Sequence, residues 1–281
     1  MISASPMAHF SGISVVFPMW NEEAGIRRAV SAAQEACAAL RREGEVGDWE
    51  IVIVDDASRD ATGAIADELA GRDPRIRVAH HAKNRKLGGA IRTGLDLARH
   101  ELILYSDADL PFDMREASKA CRLLRILRAD IVAAYRHDRT AEGWVRTAYS
   151  YGYNLLVRAV LGLRFRDVNF AFKLFRRRVL EHARLQSEGS FIDAEMLARA
   201  SRLGFRIIQF GVDYFPRSRG ISTLSSFAVI RTMLREMTRQ APAIRRIRPL
   251  PREFLLLPEG EEKAGPAEIS ATGEAVAAPR K

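Results

Sequence analysis

A chain of 281 residues, 47% hydrophobic and 28% charged, is long enough to bury one sizeable core. That composition excludes a collagen, a disulfide scaffold and a wholly disordered chain. The formal charge is +9 and unevenly placed: residues 217–253 hold nine Arg against two Glu, while residues 254–281 are net acidic.

Residues 1–21 hold no Asp, Glu, Lys or Arg, but Pro6, His9 and Gly12 break their apolar character. Residues 1–12 are therefore expected to be a short leader into a strand, not a signal peptide. The next elements alternate. Ile13–Phe17 is a strand stopped by Pro18, and Ala24–Arg41 has helical spacing. Ile51–Val54 is a strand closing on Asp55-Asp56, then Ala61–Ala70 is helical, Ile76–Ala79 a strand and Gly88–Arg99 helical. Leu102–Tyr105 is a strand ending at Ser106-Asp107, Arg115–Leu127 a helix and Ile131–Tyr135 a strand. Such alternation needs crossover connections, so it predicts an α/β, mostly parallel sheet with helices on both faces.

The second half is less regular. Ala148–Leu161 and Asp193–Leu203 read as helices and Phe205–Val212 as a strand. In Phe227–Arg239, Phe227, Ile230, Leu234 and Met237 make an apolar stripe, and Arg231, Arg235 and Arg239 a basic one. Residues 258–281 mix Pro, Gly, Ala and Glu without period and are expected to be a disordered tail. No run of about 18 apolar residues occurs, so no spanning helix is expected. Cys37 and Cys121 both fall in helical text and read as reduced core residues, as in a cytoplasmic protein.

Ligands of an open parallel sheet bind at the carboxyl ends of its strands. Four strand ends carry polar groups: Trp20-Asn21-Glu22-Glu23, Asp55-Asp56-Ala57-Ser58, Asp107-Ala108-Asp109 and Tyr135-Arg136-His137. Two carboxylates as close as Asp107 and Asp109 repel, and a hard divalent cation relieves that cost. Mg²⁺ or Mn²⁺ held there would bridge a diphosphate; the plainer reading is a helix cap and a turn. Asp55 or Asp56 could accept from a base or ribose; the plainer reading is that this segment caps the following helix through Ser58 or Asp60. Trp20 could stack on a base or simply pack.

Other chemistries lack their residues. Gly89 and Gly94 have P-loop spacing, but Leu95-Asp96 follows instead of Lys-Ser/Thr. No Gly-x-Gly-x-x-Gly, His-x-x-x-His, paired Cys or Gly-x-Ser-x-Gly is present. Basic residues are not interleaved with aromatic ones across the strands, which disfavours nucleic acid.

Four segments in order resemble family 2 glycosyltransferases over roughly residues 13–223. They are Val15-Val-Phe-Pro18-Met-Trp-Asn-Glu22-Glu23, Ile53-Val-Asp55-Asp56-Ala-Ser58, Lys86-Leu-Gly88-Gly89-Ala-Ile-Arg-Thr-Gly94 and Asp107-Ala-Asp109-Leu110. Within that family the chain is most similar to the dolichyl/polyprenyl-phosphate sugar transferase branch. The resemblance implies a GT-A type, Rossmann-like fold over 13–223, followed by a basic amphipathic helical region at 224–257. It implies a GDP- or UDP-hexose donor, with Pro18, Trp20 and Glu22 on the nucleoside, Asp55 or Asp56 on the base, and Asp107 and Asp109 on metal and diphosphate. It places Arg136, Arg146, Arg217 and Arg219 around an acceptor phosphate. Pro111, Ala171 and Thr223 depart from the branch pattern of Gln, Gly and Lys.

An anionic polyprenyl phosphate needs positioning and no deprotonation, which arginines supply. The expected reaction is inverting hexose transfer to polyprenyl phosphate, by a protein held peripherally on the inner face of a membrane through its arginine band. A hydroxyl acceptor would instead need a base, and Asp193 is the candidate; with Glu195, it otherwise complements a helix dipole. A non-catalytic nucleotide- or lipid-binding protein is the third expectation.

Overall fold

The computed structural model describes residues 8–137, 144–215 and 227–256. Strand alternation decides which residues face which layer. In β1 (Phe10–Met19), Ile13, Val15, Phe17 and Met19 face one apolar layer and Val16 the other. β2 (Val46–Asp55) repeats this, with Ile51 and Ile53 on the first side and Val52 and Val54 on the second. Both faces of the sheet are therefore buried, as the continuous apolar runs require.

Helices α1 (Ile26–Arg42), α2 (Thr62–Arg72) and α4 (Glu116–Ile126) cover the first face. Cys37 on α1 and Cys121 on α4 are buried there as free thiols, and burial pushes both up in pKa. The second face takes α3 (Lys86–Leu97), α5 (Trp144–Leu161), α6 (Arg177–Ala183), α7 (Ile192–Leu203) and α8 (Phe227–Arg245), with the short α9 (Arg252–Leu255) at its edge. The remaining strands are β3 (Ile76–His80), β4 (Leu102–Ser106), β5 (Ile131–Arg136), β6 (Phe172–Arg176) and β7 (Ile207–Val212).

Strand order is β3-β2-β1-β4-β6-β5-β7, parallel except at β6, which runs antiparallel to both β4 and β5. The mostly parallel sheet is as expected; β6 is the strand that periodicity does not reveal, nor does it reveal the short helices α6 and α9. Its sequence, Phe-Lys-Leu-Phe-Arg, is buried throughout, and Lys173 and Arg176 disguise it as a polar segment. Register aligns the functional edge: Met19 pairs with Asp55 and Asp55 with His80, while Val16 pairs with Tyr105 and Tyr105 with Lys173.

One expectation at the start of the chain meets a different geometry. The first strand starts at Phe10, inside the stretch read as leader. Helix α8 buries Met233, Met237, Ala241 and Ile244, with Leu234 partly buried, against α7 and α5. Leu234 and Met237 of the stripe thus pack on the protein's own core, while Arg231, Arg235 and Arg239 are exposed. Residues 258–281 lie outside the described residues. No helix among the described residues is long and apolar enough to cross a membrane.

Candidate active site

The loops after β1 and β2 are stitched to one another. Asn21 N donates to Ser58 Oγ at 3.0 Å, and Arg59 N returns a bond to Asn21 Oδ1 at 2.8 Å. Glu22 N donates to Thr62 Oγ1 at 2.8 Å, and Ala61 N to Glu23 Oε2 at 2.9 Å. Asp60 Oδ1 accepts from Thr62 N, so the helix-terminus role considered for Asp60 exists beside the site. These bonds hold Trp20 at the rim, 45% exposed, above a buried Pro18.

Backbone strain concentrates on the same edge. Asn21, Ala57, Lys86 and Leu110 have φ of 54°, 58°, 62° and 49°, in the left-handed region that non-glycine residues avoid. Each such residue costs of order 1–3 kcal/mol and persists where its surroundings over-determine it. Here they turn the chain after β1, β2 and β4 and at the start of α3.

Asp55 and Asp56 differ sharply in what they are free to do. Asp55 Oδ1 accepts from Ser58 N at 3.0 Å, and its Oδ2 lies 2.9 Å from His80 Nδ1. Burial pushes Asp55 up, but the bonds from Ser58 and His80 prevail and its pKa is lowered. Asp56 Oδ1 lies 2.6 Å from His81 Nδ1 and accepts from Arg85 N at 2.7 Å, which leaves Oδ2 without a bond among the described residues. His80, His81 and Arg85 were not foreseen. The third strand ends on His80-His81, and the strand-end rule applied there too would have found them.

The strand β4 end carries Asp107 and Asp109 on a turn closed by Leu110 N donating to Asp107 O at 3.4 Å. Arg28 of α1 donates to Asp109 O at 2.9 Å, and Pro111 O accepts from Phe215 N at 2.9 Å. Tyr105 Oη donates to Asp107 Oδ1 at 3.2 Å. Burial holds the Tyr105 phenol well above its ordinary pKa, and the negative charges of Asp107, Asp193 and Asp109 add to the shift. Asp107 and Asp109 thus both sit within electrostatic reach of one phenol.

Deeper in, Lys173 Nζ pairs with Asp193 Oδ1 and also donates to Phe170 O at 2.8 Å. Asp193 is buried; burial raises its pKa while Lys173 pulls the other way. A base at Asp193 would first have to part from that ammonium. Glu195 lies in the first turn of α7, as expected, and also accepts from Gln186 N at 2.9 Å, Ser187 N at 2.7 Å and Arg199 Nε at 2.6 Å. It is an anchor for the 184–190 segment.

Of the acceptor arginines, Arg136 ends β5 and forks onto Asp167, with Nε 2.7 Å from Oδ2 and a second bond of 3.2 Å. The rings of Tyr214 and Phe170 lie 5.3 and 5.7 Å from its guanidinium. Arg146 is on α5, with its side chain outside the description; Arg217, Arg219 and Thr223 lie outside the described residues.

Known proteins decide the family. A family model described as glycosyl transferase family 2 matches residues 14–184. The chain belongs to glycosyl transferase family 2. It is 35% identical over 210 residues to glycosyltransferase AglD of Haloferax volcanii, covering 73% of this chain but 33% of that protein. It is 30% identical over 234 residues to the polyprenol monophosphomannose synthase of Mycolicibacterium smegmatis, covering 79% of this chain and 84% of that one. Its family 2 sheet superposes on glucosyl-3-phosphoglycerate synthase of Mycobacterium tuberculosis, solved with Mn²⁺, UDP-glucose and phosphoglyceric acid. The TM-score is 0.58 at 21% identity, covering 81% of this chain and 80% of that one, and the shared fold is of the GT-A type.

Proposed function

We propose that this family 2 glycosyltransferase moves a hexose from GDP- or UDP-sugar to a polyprenyl phosphate with inversion at the anomeric carbon. The observation that carries the choice of acceptor is the buried Lys173–Asp193 pair. A hydroxyl acceptor needs a base, and the carboxylate available for it is already neutralised by an ammonium. A phosphate acceptor is an anion at neutral pH and needs none. The name of the mycolicibacterial relative, a polyprenol monophosphomannose synthase, supports the same acceptor class.

On this reading Asp56 is the base-recognising carboxylate, through the Oδ2 that His81 and Arg85 leave open, and Asp55 is its structural neighbour. Trp20 and Glu22 flank the nucleoside at the rim, with Pro18 beneath them. Asp107 and Asp109 offer a hard oxygen donor set, which fits Mg²⁺ or Mn²⁺. No group of three or more His, Cys, Asp or Glu side chains converges among the described residues, so Asp107 and Asp109 are the residues that would hold the cation. The tuberculosis neighbour was solved with Mn²⁺ and UDP-glucose together, which supports a cation of this type. Such a cation neutralises charge on the departing diphosphate.

The acceptor phosphate oxygen attacks the anomeric carbon from the face opposite the leaving group. The bond from that carbon to the nucleoside diphosphate breaks, and its electron pair leaves on the β-phosphate oxygen. Arg136, preset by Asp167 and flanked by Phe170 and Tyr214, would orient the acceptor together with Arg146, Arg217 and Arg219. The exposed arginines of α8 would draw the protein to an anionic membrane surface electrostatically, since Leu234 and Met237 of its apolar stripe pack on the core.

The test is incubation of the full chain with radiolabelled GDP-mannose or UDP-glucose, Mn²⁺ and vesicles carrying undecaprenyl phosphate. Label should appear in the organic phase. If none does with any common donor, while labelled sugar is transferred to a hydroxyl acceptor, the acceptor assignment is wrong.

A further inference from the structure

Tyr105 is the next-to-last residue of β4, with its ring on the second face of the sheet among Ile91, Ala133 and Phe175. The residue is fully buried, so a hydroxyl there costs free energy unless it is bonded. A ring of the same shape without the oxygen would fill the same space. The hydroxyl has one described partner, Asp107 Oδ1 at 3.2 Å. A carboxylate can only accept, so the phenol donates.

The ring is itself fixed from behind. Lys173, its register partner on β6, holds its ammonium 5.6 Å from the ring centroid. Lys173 is in turn tied to Asp193 and Phe170 O. The order of contacts from the core outward is therefore Asp193, Lys173, Tyr105, Asp107. The half-buried Asp107 carboxylate on its turn meets a donor from a central strand.

We propose that Tyr105 is a positioning residue of the donor site, whose hydroxyl holds the Asp107 carboxylate oriented before the cation and diphosphate arrive. The inference rests on the proposed role of Asp107 as a cation-holding group. Partners that orient a metal-binding side chain are worth roughly 10–100-fold in metal affinity, and the lower end suits a single neutral donor.

The experiment is Mn²⁺ binding by the full chain, read as loss of the free-ion paramagnetic resonance signal, with GDP or UDP present. Wild type, Tyr105→Phe and Asp107→Asn are compared, with melting curves for each. Tyr105→Phe should melt cooperatively and bind Mn²⁺ about tenfold more weakly, and its turnover should recover at high Mn²⁺ without a change in acceptor KM. Unchanged Mn²⁺ affinity in Tyr105→Phe beside a wild type that binds overturns the inference. So does a Tyr105→Phe chain that no longer folds, since the hydroxyl would then serve the core. A wild type that binds no Mn²⁺ with either nucleotide defeats the proposed donor site itself, a separate outcome.

Discussion

Arg85 donates its backbone N–H to Asp56 Oδ1 at 2.7 Å, while its guanidinium reaches Glu188 Oε1 at 3.1 Å. The carboxylate at the end of β2 is thereby tied to the first turn of α3 and, through it, to the 184–190 segment. Gly88 and Gly89 extend the same seam by donating to Glu188 O. On the far side, Gly189 N donates to Glu236 and Gln240 Nε2 to Ser187 Oγ, both from α8. One segment thus joins α8 to the β2 end of the site.

Asp56→Asn removes the charge but keeps an acceptor for Arg85 N. Nucleoside diphosphate binding should weaken by about tenfold, the worth of one charge-assisted hydrogen bond. Calorimetric titration with GDP and UDP measures it, and an unchanged dissociation constant for both would shift base recognition away from Asp56.

Breaking the Lys173–Asp193 pair should show mainly as lost stability. Lys173→Met leaves a buried carboxylate without its partner and should cost about 3–5 kcal/mol. Adding Asp193→Leu should restore part of that loss. Guanidinium unfolding of the two single variants and the double variant reads the coupling. If Asp193→Asn instead keeps full stability and abolishes turnover, Asp193 is a base and the acceptor is a hydroxyl.

His80 makes stability pH-dependent. Hydrogen bonds to Asp55 and Asp67 raise its pKa. Its contribution is therefore complete below the ordinary value of 6.5 and is lost as pH climbs through the raised folded value. Asp55 is lowered, so its part is present above its ordinary 3.8 and fades as pH falls through the folded value. The stability gap between wild type and His80→Asn should be widest between those limits and close on the alkaline side. Urea midpoints taken from pH 5 to 9 follow it; a constant gap would remove the ion pair from the account.

Gly94→Ala tests why a glycine ends the α3 motif. A Cβ there would lie 2.3 Å from Val16 Cγ1 and 3.2 Å from Val54 Cγ2, both on central strands. Overpacking of this kind should cost about 1–3 kcal/mol, and a lowered melting temperature registers it. Gly88→Ala meets backbone instead, at 2.5 Å from Ser187 O and 2.7 Å from Gly189 O. It should also weaken nucleotide binding, since the seam to Arg85 opens.

Charge reversal on α8 tests the membrane face. Arg231→Glu with Arg235→Glu should reduce binding to vesicles containing phosphatidylserine, by about 1 kcal/mol for each arginine lost and more for reversal. The difference should shrink as salt is raised. Co-sedimentation at low and high salt measures it, with cooperative melting as the check on folding.

The sequence by itself determined the parallel strands of the sheet. Apolar runs such as Ile51–Val54 and Leu102–Tyr105 report burial on both faces, and polar residues must then gather at the strand ends. Asp107, Asp109, Asp55 and Asp56 were legible for that reason. Tertiary structure alone decided how those carboxylates differ. Asp55 and Asp56 are adjacent in the chain, yet His80 and His81, 25 residues away, and Arg85 distinguish them. Asp193 looked like a helix-terminal acid until β6 brought Lys173 against it, and β6 was hidden because its own charges are neutralised by distant partners. Periodicity records the average environment of a segment, whereas the state of a buried charge depends on which single group lies within hydrogen-bond reach.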